Sequence, residues 1–296
     1  MNTWENRLLY PDGKIAKYKK VNGGRYFKLI AEPIEHNILP EVKIQGLGYN
    51  GGTPGPLIVV KEGEWVFIEV KNQFDEPTSL HVHGLSKPNS QDGIPEIEPT
   101  PKIQPGESYT YRFQAWQSGT FFYHAGNPLH ITLGMIGGFI VLPQNEQHFP
   151  DRDYILIIQQ WELNQPEIGE VTPGTFKPAK FDVNPNFFTL NGRAFPNTSP
   201  LYTSLGERIR IRYINKSNSS HSMHVHGHDF KLLEVDGFPR SEFLDTINVP
   251  SGQRKSIEFL SNNPGIWPIN GTKTFHQTNN GVTPGGMITR LIYTSI

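Results

Sequence analysis

Histidine is the residue type whose placement in this 296-residue chain suggests chemistry. Eight of the 11 histidines fall into three groups, with His276 apart and His36 and His148 outside the pattern. The first group is His81-Val82-His83-Gly84. The second is Tyr123-His124-Ala125-Gly126, followed by His130. The third is His221-Ser222-Met223-His224-Val225-His226-Gly227-His228, and His276 stands alone nearer the C-terminus. On a strand, residues i and i+2 point to one face, so His81 and His83 share a face, as do His224, His226 and His228. His221 has the opposite parity. Cα atoms two residues apart on a strand are roughly 6.5 Å apart, a spacing that delivers imidazoles to neighbouring metal ions rather than chelating one. Imidazole suits copper, zinc, iron and nickel. The chain has no cysteine, which excludes disulfides, thiolate nucleophiles, iron–sulfur clusters and thiolate zinc sites.

Something must hold these histidines in register, and the sequence points to short strands. Runs such as Leu57–Val60, Trp65–Val70, Tyr109–Phe113, Phe139–Leu142, Tyr154–Ile158, Arg208–Ile214, Lys231–Val235 and Ile288–Tyr293 are rich in β-branched and aromatic residues or alternate apolar with polar. Glycine (29) and proline (25) punctuate them, and no long stretch has a 3.6-residue period. The pattern predicts an all-β sandwich architecture. It also repeats. Pro105-Gly106-Glu107 is answered by Ser251-Gly252-Gln253, and Gly119-Thr120-Phe121 by Gly265-Ile266-Trp267, the register holding from 105 to 251 and from 119 to 265. A repeat this long means two copies of a domain, expected at 1–148 and 149–296, in line with a chain length of about two domains. Residues 163–185, polar and broken by proline and glycine, are expected to form an excursion within the second half.

Charge is nearly balanced, 27 basic residues against 28 acidic, so no nucleic-acid partner is expected. Lys17-Tyr18-Lys19-Lys20 reads as a solvated patch. No apolar run reaches the ~20 residues of a membrane span, and the polar start does not resemble a signal peptide. The compartment stays open: cytoplasmic as written, secreted if a leader has been removed.

Several motifs occur in an order that resembles the multicopper oxidase family. In the first half they are Gly52-Thr53-Pro54-Gly55-Pro56, Leu80-His81-Val82-His83-Gly84-Leu85, Asp92-Gly93-Ile94-Pro95, Gln104-Pro105-Gly106-Glu107 and Gly119-Thr120-Phe121-Phe122-Tyr123-His124. In the second they are Leu190-Asn191-Gly192, His221 to Phe230, Asp236-Gly237, Asp245-Thr246 and Asn263-Pro264-Gly265-Ile266-Trp267. The resemblance implies two tandem cupredoxin-like Greek-key β-sandwich domains. It is similar in architecture to two-domain laccases and copper nitrite reductases, and so implies a homotrimer with copper sites between subunits.

Carried over residue by residue, the resemblance implies His81 and His224 as ligands of one copper. His83 and His124 match a second copper and His226 a third. Asp92 matches a proton-relaying acid; His228, by its own position two residues after His226, is expected to orient His226 through a hydrogen bond. The family's other positions are altered. Gly126 stands where a histidine belongs, and Asn270-Gly271-Thr272 replaces a His-Cys-His motif. His221 and His276 match the histidines of a blue type 1 site whose thiolate position is Gly271 and whose axial position is Gly281. In the first half, Ala125 stands at a type 1 cysteine position, with His130 and Met135 at later ligand spacings. No blue site can form without cysteine.

The resemblance therefore implies a copper-dependent, laccase-like oxidase of reduced type, with about one to three coppers per chain held by histidine alone. Its partners would be oxygen and a small reductant, such as a phenol, that meets the centre directly. Copper storage or delivery without turnover, or a degenerate scaffold, are the competing functions. Substitution of His81 or His224 by alanine should release most bound copper, and substitution of His148 should not.

Overall fold

The computed structural model describes residues 4–145 and 149–295. It is built almost wholly of strands, with one short α-helix, Pro128–Thr132, among the described residues. Two units emerge. One comprises Gly13–His36 and Gln45–Glu146, the other Met1–Asp12, Asn37–Ile44 and Gln147–Ile296. The expected domain change at 148/149 adjoins residues outside the described ones. Two earlier segments, 1–12 and 37–44, group with the later unit because strands there find partners in it. Leu8–Leu9 runs parallel to Arg152–Trp161, and Val42 to Ile44 pair with Gly174–Phe176. That last strand gives the 163–185 excursion an anchor, over a small core of Ile38, Val42, Ile44, Trp161 and Phe187.

In the first unit, a sheet containing Gly24–Asn37, Trp65–Asn72 and Ser108–Gln114 faces a four-stranded sheet. The latter runs in the order Gly55–Lys61, Ile136–Leu142, Gly119–Ala125, Leu80–His83. Alternation does the sorting: along Trp65–Asn72 the side chains of Val66, Ile68 and Val70 are fully buried, and the residues between them are not. The two inner faces meet in a core that includes Phe27, Leu29, Tyr111, Phe113, Phe121, Tyr123 and Phe139. Aromatic and β-branched residues on both faces are what such a sandwich needs to bury its sheets. Leu80–His83 is the edge strand, which leaves its outward residues open.

The second unit repeats the plan. One sheet contains Arg152–Trp161, Arg208–Asn215, Arg254–Leu260, Phe230–Val235 and Phe238–Leu244 in that order. The other runs Leu201–Ser204, Ile288–Ser295, Ile266–Gly271, His221–Val225, Thr246–Val249. Between them lie Tyr154, Leu156, Ile209, Ile211, Tyr213, Met223, Val225, Ile257 and Ile269. Tandem cupredoxin-like β-sandwich domains are thus present, each made of two curled sheets. The internal repeat also survives in the pairing: His81 is opposite His124 in the first unit, and His224 is opposite Asn270 in the second.

Candidate metal centre

Edge-strand alternation builds the first cluster. Leu80 and Val82 turn into the core, so His81 and His83 turn outward. Antiparallel pairing with Gly119–Ala125 sets His124 directly beside His81. The ring centroids are 5.6 Å apart for His81 and His83, 5.1 Å for His81 and His124, and 5.8 Å for His83 and His124. One ligand nitrogen from each of the three lies within 4.8 Å of the others. His83 is stacked on Phe122, centroids 4.5 Å apart, which fixes the plane of its ring.

Hydrogen bonding decides which nitrogens are offered. His81 Nδ1 lies 2.7 Å from the Asp92 carbonyl, and His124 Nδ1 2.7 Å from the Ala125 carbonyl. A carbonyl only accepts, so in both rings Nδ1 carries the proton and Nε2 holds the lone pair a metal needs. Burial pushes the His81 imidazole below its usual range, and the Lys87 ammonium pushes it the same way. A neutral ring is the ligating form.

The loop after the strand is held against it by a glycine. Gly93 adopts φ +91°, and a β-carbon there would overlap the Leu80 carbonyl. Its own carbonyl accepts from the Ser79 hydroxyl at 2.7 Å, and its N–H donates to Thr100 Oγ1 at 3.1 Å. This close approach brings Asp92 to His81. Burial would raise the Asp92 carboxyl, but Lys87, 2.8 Å away, and the two nearby histidines outweigh it and hold it below the usual carboxylate range. Asp92 therefore stays ionised, its Oδ1 3.4 Å from His81 Nδ1.

In the second unit the strand His221–Val225 ends before the motif does. The expected shared face of His224, His226 and His228 does not persist, because Gly227 takes φ +70° and turns the chain. His224 still follows strand parity, and its Nδ1 donates to the Asp245 carbonyl at 2.6 Å, the same device that orients His81. His226 lies beside it, centroids 4.7 Å apart, but its Nε2 is 2.9 Å from the Asn270 side-chain oxygen. His228 uses both nitrogens, Nδ1 on the His226 carbonyl at 2.9 Å and Nε2 on the Tyr293 hydroxyl at 2.7 Å. It braces the turn that carries His226 and presents no ligand nitrogen.

The opposite face of the same strand carries His221, which is fully buried. Its Nδ1 lies 3.0 Å from Nδ1 of His276 and its Nε2 2.6 Å from the Ser217 hydroxyl. Burial pushes His221 down to about 3 and His276 to about 4, so both rings are neutral. Phe188 lies against His276 at 4.4 Å. Gly271 adjoins this pair: a β-carbon there would be 3.5 Å from His276 Cβ and 3.6 Å from Met287 Sδ.

The remaining positions are placed elsewhere. His130 sits on the short helix with its Nε2 3.4 Å from Glu76, and Met135 is buried in the core of the first unit. A β-carbon at Gly126 would overlap the Gly93 carbonyl and the Ser79 hydroxyl, so no histidine can stand there without rebuilding the loop. His148 lies outside the described residues. The sequence marks Asn270 only as a replacement for a histidine of the His-Cys-His motif, not as a partner of His226, and it does not single out Lys87. Asn270 was legible, since it answers His124 in the repeat; nothing in the order of residues marks Lys87 for burial. The all-imidazole cluster, with the tautomers of His81 and His124 fixed by carbonyls, fits copper.

Comparison with known proteins agrees with this geometry. Two family models, both described as multicopper oxidase, match residues 31–146 and 163–283. The blue copper oxidase of Nitrosomonas europaea, a solved structure, is 31% identical, with a TM-score of 0.81 over 90% of this chain and 85% of that one. Copper resistance protein A of Escherichia coli is 28% identical over 64% of this chain and 38% of its own. Laccase-1 of Cryptococcus neoformans var. neoformans is 30% identical over 72% of this chain and 38% of its own. The chain thus spans about two-fifths of the length of these curated relatives.

Proposed function

The chain belongs to the multicopper oxidase family, and on that premise we propose that it is a laccase-like oxidase working at a histidine-only copper centre with no blue site. The observation that carries this reading is the convergence of His81, His83 and His124, with Nε2 of His81 and His124 left for a metal by carbonyls on Nδ1. His224, oriented by the same device, supplies the matching ligand from the second unit. We take the working form to be a homotrimer in which the first unit of one subunit meets the second unit of the next.

Copper, when bound, supplies one-electron redox chemistry between a small reductant, such as a phenol, and oxygen. The chain's own residues do the rest. His81, His83 and His124 leave coordination positions open, as catalytic sites require. The ionised Asp92 carboxylate, 3.4 Å from His81 Nδ1, is the acceptor that can pass protons released by the reductant toward oxygen as it becomes water. Without a thiolate relay, the reductant must come to the histidines themselves.

Oxygen uptake by the copper-loaded protein with a phenol tests the reading. We expect uptake that is lost in His81→Ala. Retained copper without uptake would favour storage or delivery instead.

A further inference from the structure

Lysine is almost never fully buried unless paired, yet the Lys87 side chain is 3% exposed. Its ammonium donates to the Asp92 carboxylate at 2.8 Å and to the Val82 carbonyl, also at 2.8 Å. A third acceptor, the Leu85 carbonyl, lies at 3.5 Å. Val82 is the residue between the two strand histidines, and Asp92 is the residue whose carbonyl orients His81. A strap across this loop needs no charge, because well-packed apolar residues often replace buried ion pairs without loss of stability. What the charge adds is a cation two polar contacts from the His81 ring.

We propose that Lys87 is a positioning residue that sets the redox balance of the His81–His83–His124 centre, disfavouring the cupric ion relative to the cuprous one. This rests on the copper reading given above. A fixed positive charge within roughly 10 Å repels a dication more than a monocation. At an effective dielectric constant of about 20, the difference is on the order of tenfold in relative affinity. Asp92 acts in the opposite sense, so the two halves of the pair have opposite signatures, which a strap that only holds the loop would lack.

Reductive titration of the copper-loaded protein, followed by the cupric spin-resonance signal, tests the proposal in Lys87→Met, Lys87→Arg and Asp92→Asn. Lys87→Met should lower the potential, by the equivalent of about tenfold in the cupric-to-cuprous affinity ratio. Lys87→Arg should restore it and Asp92→Asn should raise it. An unmoved potential in Lys87→Met, or shifts of the same sign in Lys87→Met and Asp92→Asn, would overturn the role of Lys87 while leaving the copper centre standing. If Lys87→Met does not fold, Lys87→Gln, which keeps a donor for the Val82 carbonyl but drops the charge, decides: a lowered potential supports the proposal and an unmoved one overturns it. Failure of the unaltered protein to hold copper would overturn the copper reading, and this role with it.

Discussion

At position 271 a β-carbon would meet nothing closer than 3.5 Å, whereas at position 126 it would overlap a carbonyl and a hydroxyl. The two glycines occupy places where the family resemblance implies metal ligands, yet they differ physically. The pocket around Gly271 keeps room for a side chain and keeps its neighbours, His221 and His276, with Nδ1 atoms 3.0 Å apart. Two nitrogens at roughly 2.0–2.1 Å from one metal ion can lie at such a separation. Gly271→Cys is therefore expected to take up copper with an intense visible charge-transfer band, measured by absorption after loading. Gly126→His should instead lose stability and gain no ligand. A colourless, copper-loaded Gly271→Cys would contradict this account of the His221–His276 pair. At this scale the sequence was informative about which histidines pair, since the i, i+2 spacing survives at His81 and His83. It was silent on tautomers, which depend on the carbonyls of Asp92, Ala125 and Asp245. It was silent also on Lys87, whose burial follows from how the loop folds back rather than from its neighbours in the chain.

Two elements in each unit do the positioning: the strand carrying the first histidines, at the sheet edge in the first unit and between two strands in the second, and the neighbouring strand that sets His124 or Asn270 opposite them. The third participant is the loop pinned by Gly93. Gly93→Ala combines a φ of +91° with a clash against the Leu80 carbonyl. We expect it to cost on the order of 2 kcal/mol or more, and to weaken copper retention because the Asp92 carbonyl would withdraw from His81. Thermal unfolding and metal analysis on the same variant check this; a stable Gly93→Ala with full copper would show that the loop does not orient the ring. The strands themselves were legible, because alternation and β-branched content specify them locally. Their ends were less so. The histidine run of the second unit keeps strand parity only to Val225, since a left-handed turn at Gly227 is a matter of backbone conformation, and His228 consequently braces Tyr293 instead of facing a metal.

For the molecule as a whole, the repeat of 146 residues foretold two sandwiches, and the cores confirm a sheet pair in each. It did not foretell that residues 1–12 and 37–44 group with the later unit, because strand exchange of this kind leaves no trace in local periodicity. No helix of the described residues is long and apolar enough to cross a membrane. Neither unit carries the full ligand pattern of the family it belongs to. The first offers His81, His83 and His124; the second offers His224 and a His226 already engaged by Asn270. The trimer is proposed because the ligand pattern that the family resemblance implies is divided between the two units. The most direct test is copper per chain after loading and desalting, with the spin-resonance spectrum taken on the same sample, for the unaltered protein and for His81→Ala and His224→Ala. The account predicts about one to three coppers per chain, a cupric signal without blue-site character, and loss of most of the metal in either variant. Copper retained equally in all three, or absent from the unaltered protein, would contradict it.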